Sequence, residues 1–105
     1  MRDLLGYLGL AKRAGKLIIG DVAVSQATDF SRLICVAEDL SPGSLKRARR
    51  AALIAGIPLV TLPCTKNGIG NALGRKPCGI LALTDDGFAK ALIEAVQGKQ
   101  AAKTD

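Results

Sequence analysis

Several groups of residues in this chain are of types that do chemistry: the acidic pairs Glu38-Asp39 and Asp85-Asp86, the cysteines 35, 64 and 78, a glycine-rich run at Gly68-Ile69-Gly70 and Gly74, and clusters of Lys and Arg. Paired carboxylates at the end of a strand hold Mg²⁺ or exchange protons. Both pairs also stand just before expected helices, where a carboxylate stabilises the N-terminus. The chain has no His, so the commonest general base and metal ligand is missing, and helix capping is the favoured role for the acids. Cys35 sits in an apolar run and reads as a small core residue. Cys64 and Cys78 flank a short helix and could approach each other, where a thiolate could be reactive, but no CxxC spacing or His partner supports zinc or thiol catalysis. The glycine run lacks the Lys-Ser/Thr of a phosphate loop and the spacing of a dinucleotide fingerprint, so it reads as close packing followed by a helix stop. We therefore expect no catalytic residue, no metal and no cofactor. A small nucleotide-using enzyme is disfavoured.

The basic residues carry more information. The 105-residue chain has 15 Lys and Arg against 9 Asp and Glu, a formal charge of +6 that suits a polyanionic partner. One cluster is Lys12, Arg13 and Lys16. A second is Lys66 with Arg75 and Lys76, set among glycines that let a backbone approach a ligand. A third is Lys46, Arg47, Arg49 and Arg50, on the outer half of one expected helix. Only Tyr7, Phe30 and Phe88 are aromatic, so base stacking would contribute little, and shape, phosphate contacts and small apolar packing remain.

The elements that must position these groups follow from periodicity. Residues 3–14 read as a helix stopped by Gly15, and 16–19 as a short strand. Asp21 would cap a helix over 21–28, and 33–37 is a continuous apolar run, a buried strand. Ser41-Pro42 opens a helix that Gly56 ends, with Leu45, Ala48, Ala52 and Ala55 on its inner face. A strand follows at 58–62, a helix at 65–73, a loop at 74–79 and a strand at 80–83. Thr84 or Asp85 caps a last helix to about Gln97, and the polar tail from Gly98 should fray. The alternation places helices on both sides of an at least partly parallel sheet. Its length fits one domain, which we expect over 1–98 with a tail over 99–105. The core must be aliphatic. An odd cysteine count argues for a reducing, cytoplasmic setting. The charges at Arg2 and Asp3 precede only a short apolar stretch, so we expect no signal segment, and no run approaches the roughly 18 residues that span a bilayer.

At four places, in order, the chain resembles a known family. These are Gly9-Leu10-Ala11-Lys12-Arg13-Ala14-Gly15-Lys16 with Gly20, Ile34 through Pro42, Lys66 with Ile69-Gly70-Asn71-Ala72-Leu73-Gly74, and Thr84 through Ala89. Together they resemble the small bacterial branch of the L7Ae/L30e ribosomal protein family across about residues 4–97. The resemblance implies an L30e-like three-layer α/β/α sandwich around a mixed four-stranded sheet. It also implies binding to kink-turn RNA, a sharply bent stem with an internal loop. The start of the second helix would enter the RNA groove, here Gly20 to Gln26, and the loop after the fourth helix, here Arg75 to Ile80, would cover extruded bases. Such binders carry an Asn-Glu pair and a Lys on the second helix. This chain has Val22, Ala23 and Gln26 there, and each lost base contact is worth roughly 1–3 kcal/mol. Asp21 adds a negative charge near the expected phosphates. The expected RNA-binding set is Lys16, Gly20, Asp21, Val22, Ala23, Gln26, Lys66, Arg75, Lys76, Pro77 and Cys78. The expected partner is a structured RNA, in rRNA or an mRNA leader, with the ribosome as a further candidate. We expect no membrane partner and a monomeric chain. The alternative is a protein-interaction module that kept the fold and lost kink-turn binding.

Overall fold

The computed structural model describes residues 4–104; Met1–Asp3, where the first helix was expected to start, and Asp105 lie outside the described residues. The element order is α1 (Leu4–Arg13), β1 (Leu17–Ile19), α2 (Asp21–Gln26), β2 (Leu33–Val36), α3 (Pro42–Ala55), β3 (Leu59–Thr61), α4 (Lys66–Leu73), β4 (Ile80–Leu83) and α5 (Asp86–Thr104). The strands form one sheet in the order β1-β4-β2-β3. β4 is antiparallel to both neighbours, pairing Ile19 with Leu81 and Ile34 with Ala82, while β2 and β3 run parallel with Cys35 opposite Val60. This is the mixed four-stranded α/β/α sandwich.

Side chains alternate across a strand, and the core divides accordingly. Leu33, Cys35, Leu81 and Leu83 face one side, where Leu4, Leu8 and Ala11 of α1, Ile69 and Leu73 of α4 and Ala89 and Leu92 of α5 cover them. Ile34, Val36, Ile80 and Ala82 face the other, under Val24 of α2 and Ala48 and Ala52 of α3. All four residues of β2 and of β4 are buried, as expected for strands covered on both faces. Each fully buried Leu contributes roughly 1.5–3 kcal/mol. The rings are few, and Tyr7 and Phe88 lie together at 5.3 Å between centroids, with the Tyr7 hydroxyl donating to the Phe88 carbonyl at 3.2 Å.

Most helix ends lie where local chemistry places them. Ser41 Oγ accepts from the Ser44 amide at 3.3 Å with Pro42 at the first helical position, and Gly56 ends α3 in the left-handed region. Thr65 and Gly74 bound α4 in the same way. Asp85 Oδ2 accepts from the Phe88 amide at 3.0 Å and caps α5, the capping role expected of the acids. Asp39 also caps, but across the fold: its Oδ1 accepts from the Lys66 amide at 2.9 Å, at the head of α4 rather than α3.

Three expectations need correction. Asp21 does not cap α2; Gly20 holds the cap position and Asp21 is the first helical residue. The turn from β1 into α2 takes a single residue, and Gly20 makes it at φ +107° with its amide donating to the Ile80 carbonyl at 2.9 Å, a conformation that residues with a Cβ rarely adopt. α2 stops at Gln26, short of residue 28, and the buried Ser31 hydroxyl donates to the Ala27 carbonyl at 2.7 Å just beyond it. Finally, α5 does not end near Gln97 but continues to Thr104. Between Gln97 and Lys103, Gly98 is the weak helix former among Gln, Lys and Ala, whose propensities carry the helix on.

Candidate nucleic-acid interface

The topology sends four connections to one end of the sheet. β1, β2 and β3 point the same way and β4 opposite, so Gly20, residues 37–41, residues 62–65 and the loop 74–79 gather beyond the same edge. A groove of about 630 Å³ opens there, lined by Ile19, Gly20 and Asp21 on one side, Leu40 and Ser44 on another, and Arg75 through Ile80 on the third.

The loop forming its basic lip is pinned by backbone. Arg75 N–H donates to the Gly70 carbonyl at 2.8 Å, Cys78 N–H to Lys66 at 3.3 Å, and Ala37 N–H to the Gly79 carbonyl at 2.9 Å. Gly70 is buried on α4, and a Cβ there would lie 2.5 Å from the Lys76 carbonyl oxygen and 2.9 Å from Pro77 Cα. α4 therefore supports the loop by direct contact of backbones, the close packing expected of the glycine run. At Gly79 a Cβ would lie 2.6 Å from Leu40 Cδ1 and 3.2 Å from Lys66 Cγ, so the Lys66 stem runs beside the loop.

Of the expected residues, the groove unites Gly20, Asp21, Arg75, Lys76, Pro77 and Cys78. Lys66 adjoins them. Val22, Ala23 and Gln26 are exposed on α2 beside the groove, outside its lining, with Val22 69% exposed. Lys16 is not with them. Its carbonyl accepts from Thr84 N–H at 3.0 Å, which puts it at the opposite end of the sheet, because β1 runs the sheet's full depth between Lys16 and Gly20. Lys12 is engaged elsewhere, its Nζ donating to the Leu73 carbonyl at 2.7 Å, at the C-terminus of α4, where a cation is favoured.

Arg47 was not among the expected site residues. Its Nη2 donates to Asp21 Oδ2 at 3.2 Å and to Ser44 Oγ at 3.1 Å, joining α3 to the start of α2. The pair balances the Asp21 charge beside the groove. Ser44 and Arg47 share a helix face at i,i+3, but nothing in the sequence ties them to Asp21. Arg75 and Lys76 are exposed and, among the described residues, neither has an ion-pair partner. Burial pushes the Cys78 thiol up from its ordinary value, opposed by the nearby Arg75 charge, so Cys78 presents a neutral thiol rather than a nucleophile. No group of three or more potential metal ligands occurs among the described residues, and no described helix is long and apolar enough to cross a membrane.

The fold is shared with known structures. A Bacillus halodurans protein of unknown function superposes with a TM-score of 0.82 over 92% of this chain and 99% of its own, at 23% identity. A 15.5 kD RNA-binding protein of Giardia lamblia superposes with a TM-score of 0.72 over 93% of this chain and 85% of its own, at 19% identity. The architecture is thus the L30e-like sandwich. In sequence, the RNA-binding protein YlxQ of Enterococcus faecium is 29% identical over 96 residues, covering 90% of this chain and 91% of its own. The YlxQ of Bacillus subtilis is 28% identical over 88 residues, covering 82% and 87%. No family model matches the chain.

Proposed function

We propose that this protein binds structured RNA of the kink-turn kind through the groove at the end of its sheet, as a non-catalytic binder. The observation that carries this reading is the meeting of the Gly20 turn and the basic loop Arg75–Cys78 around one groove, with Arg47 matching the one acid that lines it. Arg75 and Lys76 contact phosphates, and Lys66 reaches the same backbone from behind the loop. The Gly20 turn, with Val22, Ala23 and Gln26 beside it, lies against the bend. Pro77 and Cys78 give the loop a small apolar surface for an extruded base. Lys16, at the far end of the sheet, is outside this footprint. The two YlxQ relatives and the Giardia neighbour, each named as RNA-binding, support the same reading. A bend of this kind in rRNA or in an mRNA leader is the target it names, with the ribosome as the setting in the first case. Residues 1–98 form the binding domain, and 99–105 stand outside it. We take the protein to act as a cytoplasmic monomer.

Gel-shift titration tests this with a kink-turn stem and the same stem with its internal loop fully paired, each at two salt concentrations. The bent stem should bind more tightly, and Arg75→Gln/Lys76→Gln should weaken binding and lower the slope of log K on log salt by about 0.7–0.9 per lost phosphate contact. No binding to the bent stem at low salt refutes the proposal. A second reading, a protein-docking module, is favoured by the 69% exposure of the apolar Val22 where kink-turn binders carry a base-reading side chain. Stoichiometric recovery of one protein after nuclease treatment, with no RNA retained, would favour it.

A further inference from the structure

The groove reading leaves the cationic face of α3 without a role. α3 carries Lys46, Arg47, Arg49 and Arg50 and no acidic residue, and all four are exposed. Only Arg47 is paired, with Asp21; among the described residues Lys46, Arg49 and Arg50 have no ion-pair partner. Lys46 stands at i,i+3 from Arg49 and i,i+4 from Arg50, spacings at which like charges repel across a helix face. A merely solvated face ordinarily intersperses both signs, and this one does not. The tract also begins at the groove: Ser44 lines it, and Arg47 bonds both Ser44 and Asp21 at its wall. From Ser44 to Arg50 the helix rises about 9 Å, so the charges lead away from the lip opposite Arg75 and Lys76.

We propose that the outer face of α3 is a second polynucleotide contact. Lys46, Arg49 and Arg50 take phosphates of the duplex that leads out of the groove, without reading its sequence. This rests on the groove reading, and it extends the footprint from the bend to a flanking stem.

The test compares a kink-turn RNA trimmed close to its internal loop with one whose two stems are each extended by a helical turn. The wild type should bind the extended RNA more tightly and with the steeper salt dependence. Lys46→Gln/Arg49→Gln/Arg50→Gln keeps helix propensity and should match the wild type on the trimmed RNA. On the extended RNA it should lose the gain, with the salt slope falling by up to about 2.7, or 0.9 per contact. Arg49→Lys/Arg50→Lys, which preserves charge, should retain the wild-type slope, separating phosphate contact from damage to the helix. Wild-type affinity and slope for the triple variant on the extended RNA overturn the α3 contact and leave the groove reading standing. If Arg75→Gln/Lys76→Gln changes nothing on either RNA while the triple variant abolishes binding, the groove reading fails and the α3 contact survives. No binding of the wild type to either RNA at low salt overturns both.

Discussion

Gly70→Ala separates helix propensity from the architecture of the groove. In an exposed helix interior, Gly to Ala stabilises by up to about 1 kcal/mol. At Gly70 the added Cβ meets the Lys76 carbonyl oxygen at 2.5 Å, the carbonyl carbon at 2.8 Å and Pro77 Cα at 2.9 Å. All three atoms are backbone, so no side chain can swing aside. Restoring ordinary contact requires α4 and the loop to part by about an ångström. The hydrogen bonds from Arg75 N–H to Gly70 and from Cys78 N–H to Lys66 resist that separation on both sides of the clash. Overpacking of this kind costs about 1–3 kcal/mol, which exceeds the propensity gain. The variant should be destabilised by up to about 2 kcal/mol, and for a domain of this size each kcal/mol lowers Tm by about 4–8 °C. Because the displaced backbone is the basic lip, RNA affinity should fall even where the protein is fully folded. Urea unfolding gives the first quantity and gel-shift titration at low temperature the second. A Gly70→Ala protein more stable than the wild type, with unchanged RNA binding, would refute the claim that this glycine sets the loop's position.

Further outcomes follow from other contacts. Arg47→Ala breaks a pair whose side chains are 64% and 51% exposed, so stability should change by less than about 1 kcal/mol; RNA affinity should drop as Asp21 loses its partner, and adding Asp21→Asn should recover it, whereas wild-type binding by Arg47→Ala would remove Arg47 from the site. Gly43→Ala, whose Cβ meets nothing nearer than Arg47 Nη1 at 3.9 Å, should stabilise by about 0.4–1 kcal/mol in urea unfolding, and a loss would show that the head of α3 is tighter than it looks. Burial pushes the Cys35 thiol far above its ordinary range; the folded state then holds a proton that the unfolded chain releases above about pH 8.5, so this contribution is complete below that pH and is lost as pH rises, by up to about 1.4 kcal/mol per unit. Cys35→Ala should flatten that slope between pH 9 and 10 while lowering stability at pH 7, and an identical slope in both proteins would contradict the assignment.

Much of the fold was legible because its signals are local. Ser41-Pro42, Gly56, Gly74 and Asp85 mark helix ends through contacts no more than a few residues away, and the apolar runs of β2 and β4 announce strands covered on both faces. What escaped the sequence is what the sheet brings together. Asp39 caps a helix 27 positions on, and Arg47 reaches Asp21 across 26; no periodicity relates them. Lys16 and Gly20 are close in sequence, but a strand advances about 3.3 Å per residue, so they stand roughly 13 Å apart at opposite ends of the sheet. The loop 75–79 and Gly20, distant in sequence, are joined by a single bond into β4. Of the expected site, the members gathered in the groove are those attached to that one end.

The charge of the site follows from how its acids are used. Among the described residues, three acids lie near the groove end of the sheet. Asp39 is turned to the Lys66 amide and Asp21 to Arg47, which leaves Glu38 exposed on the segment after β2 with its amide bonded to the Cys64 carbonyl. Arg75 and Lys76 are matched by neither Asp21 nor Asp39. The two lips also belong to different layers: one hangs from α4, packed with α1 and α5, and the other from α2 and α3, on the far face. They meet at the start of β4, where Gly20 N–H holds Ile80 and Ala37 N–H holds Gly79. The groove straddles the sheet and is held by these backbone hydrogen bonds together with the side chains of Asp39 and Arg47. That framework uses no side chain of residues 22, 23 and 26, so the binding proposed for the groove does not require base-reading side chains there.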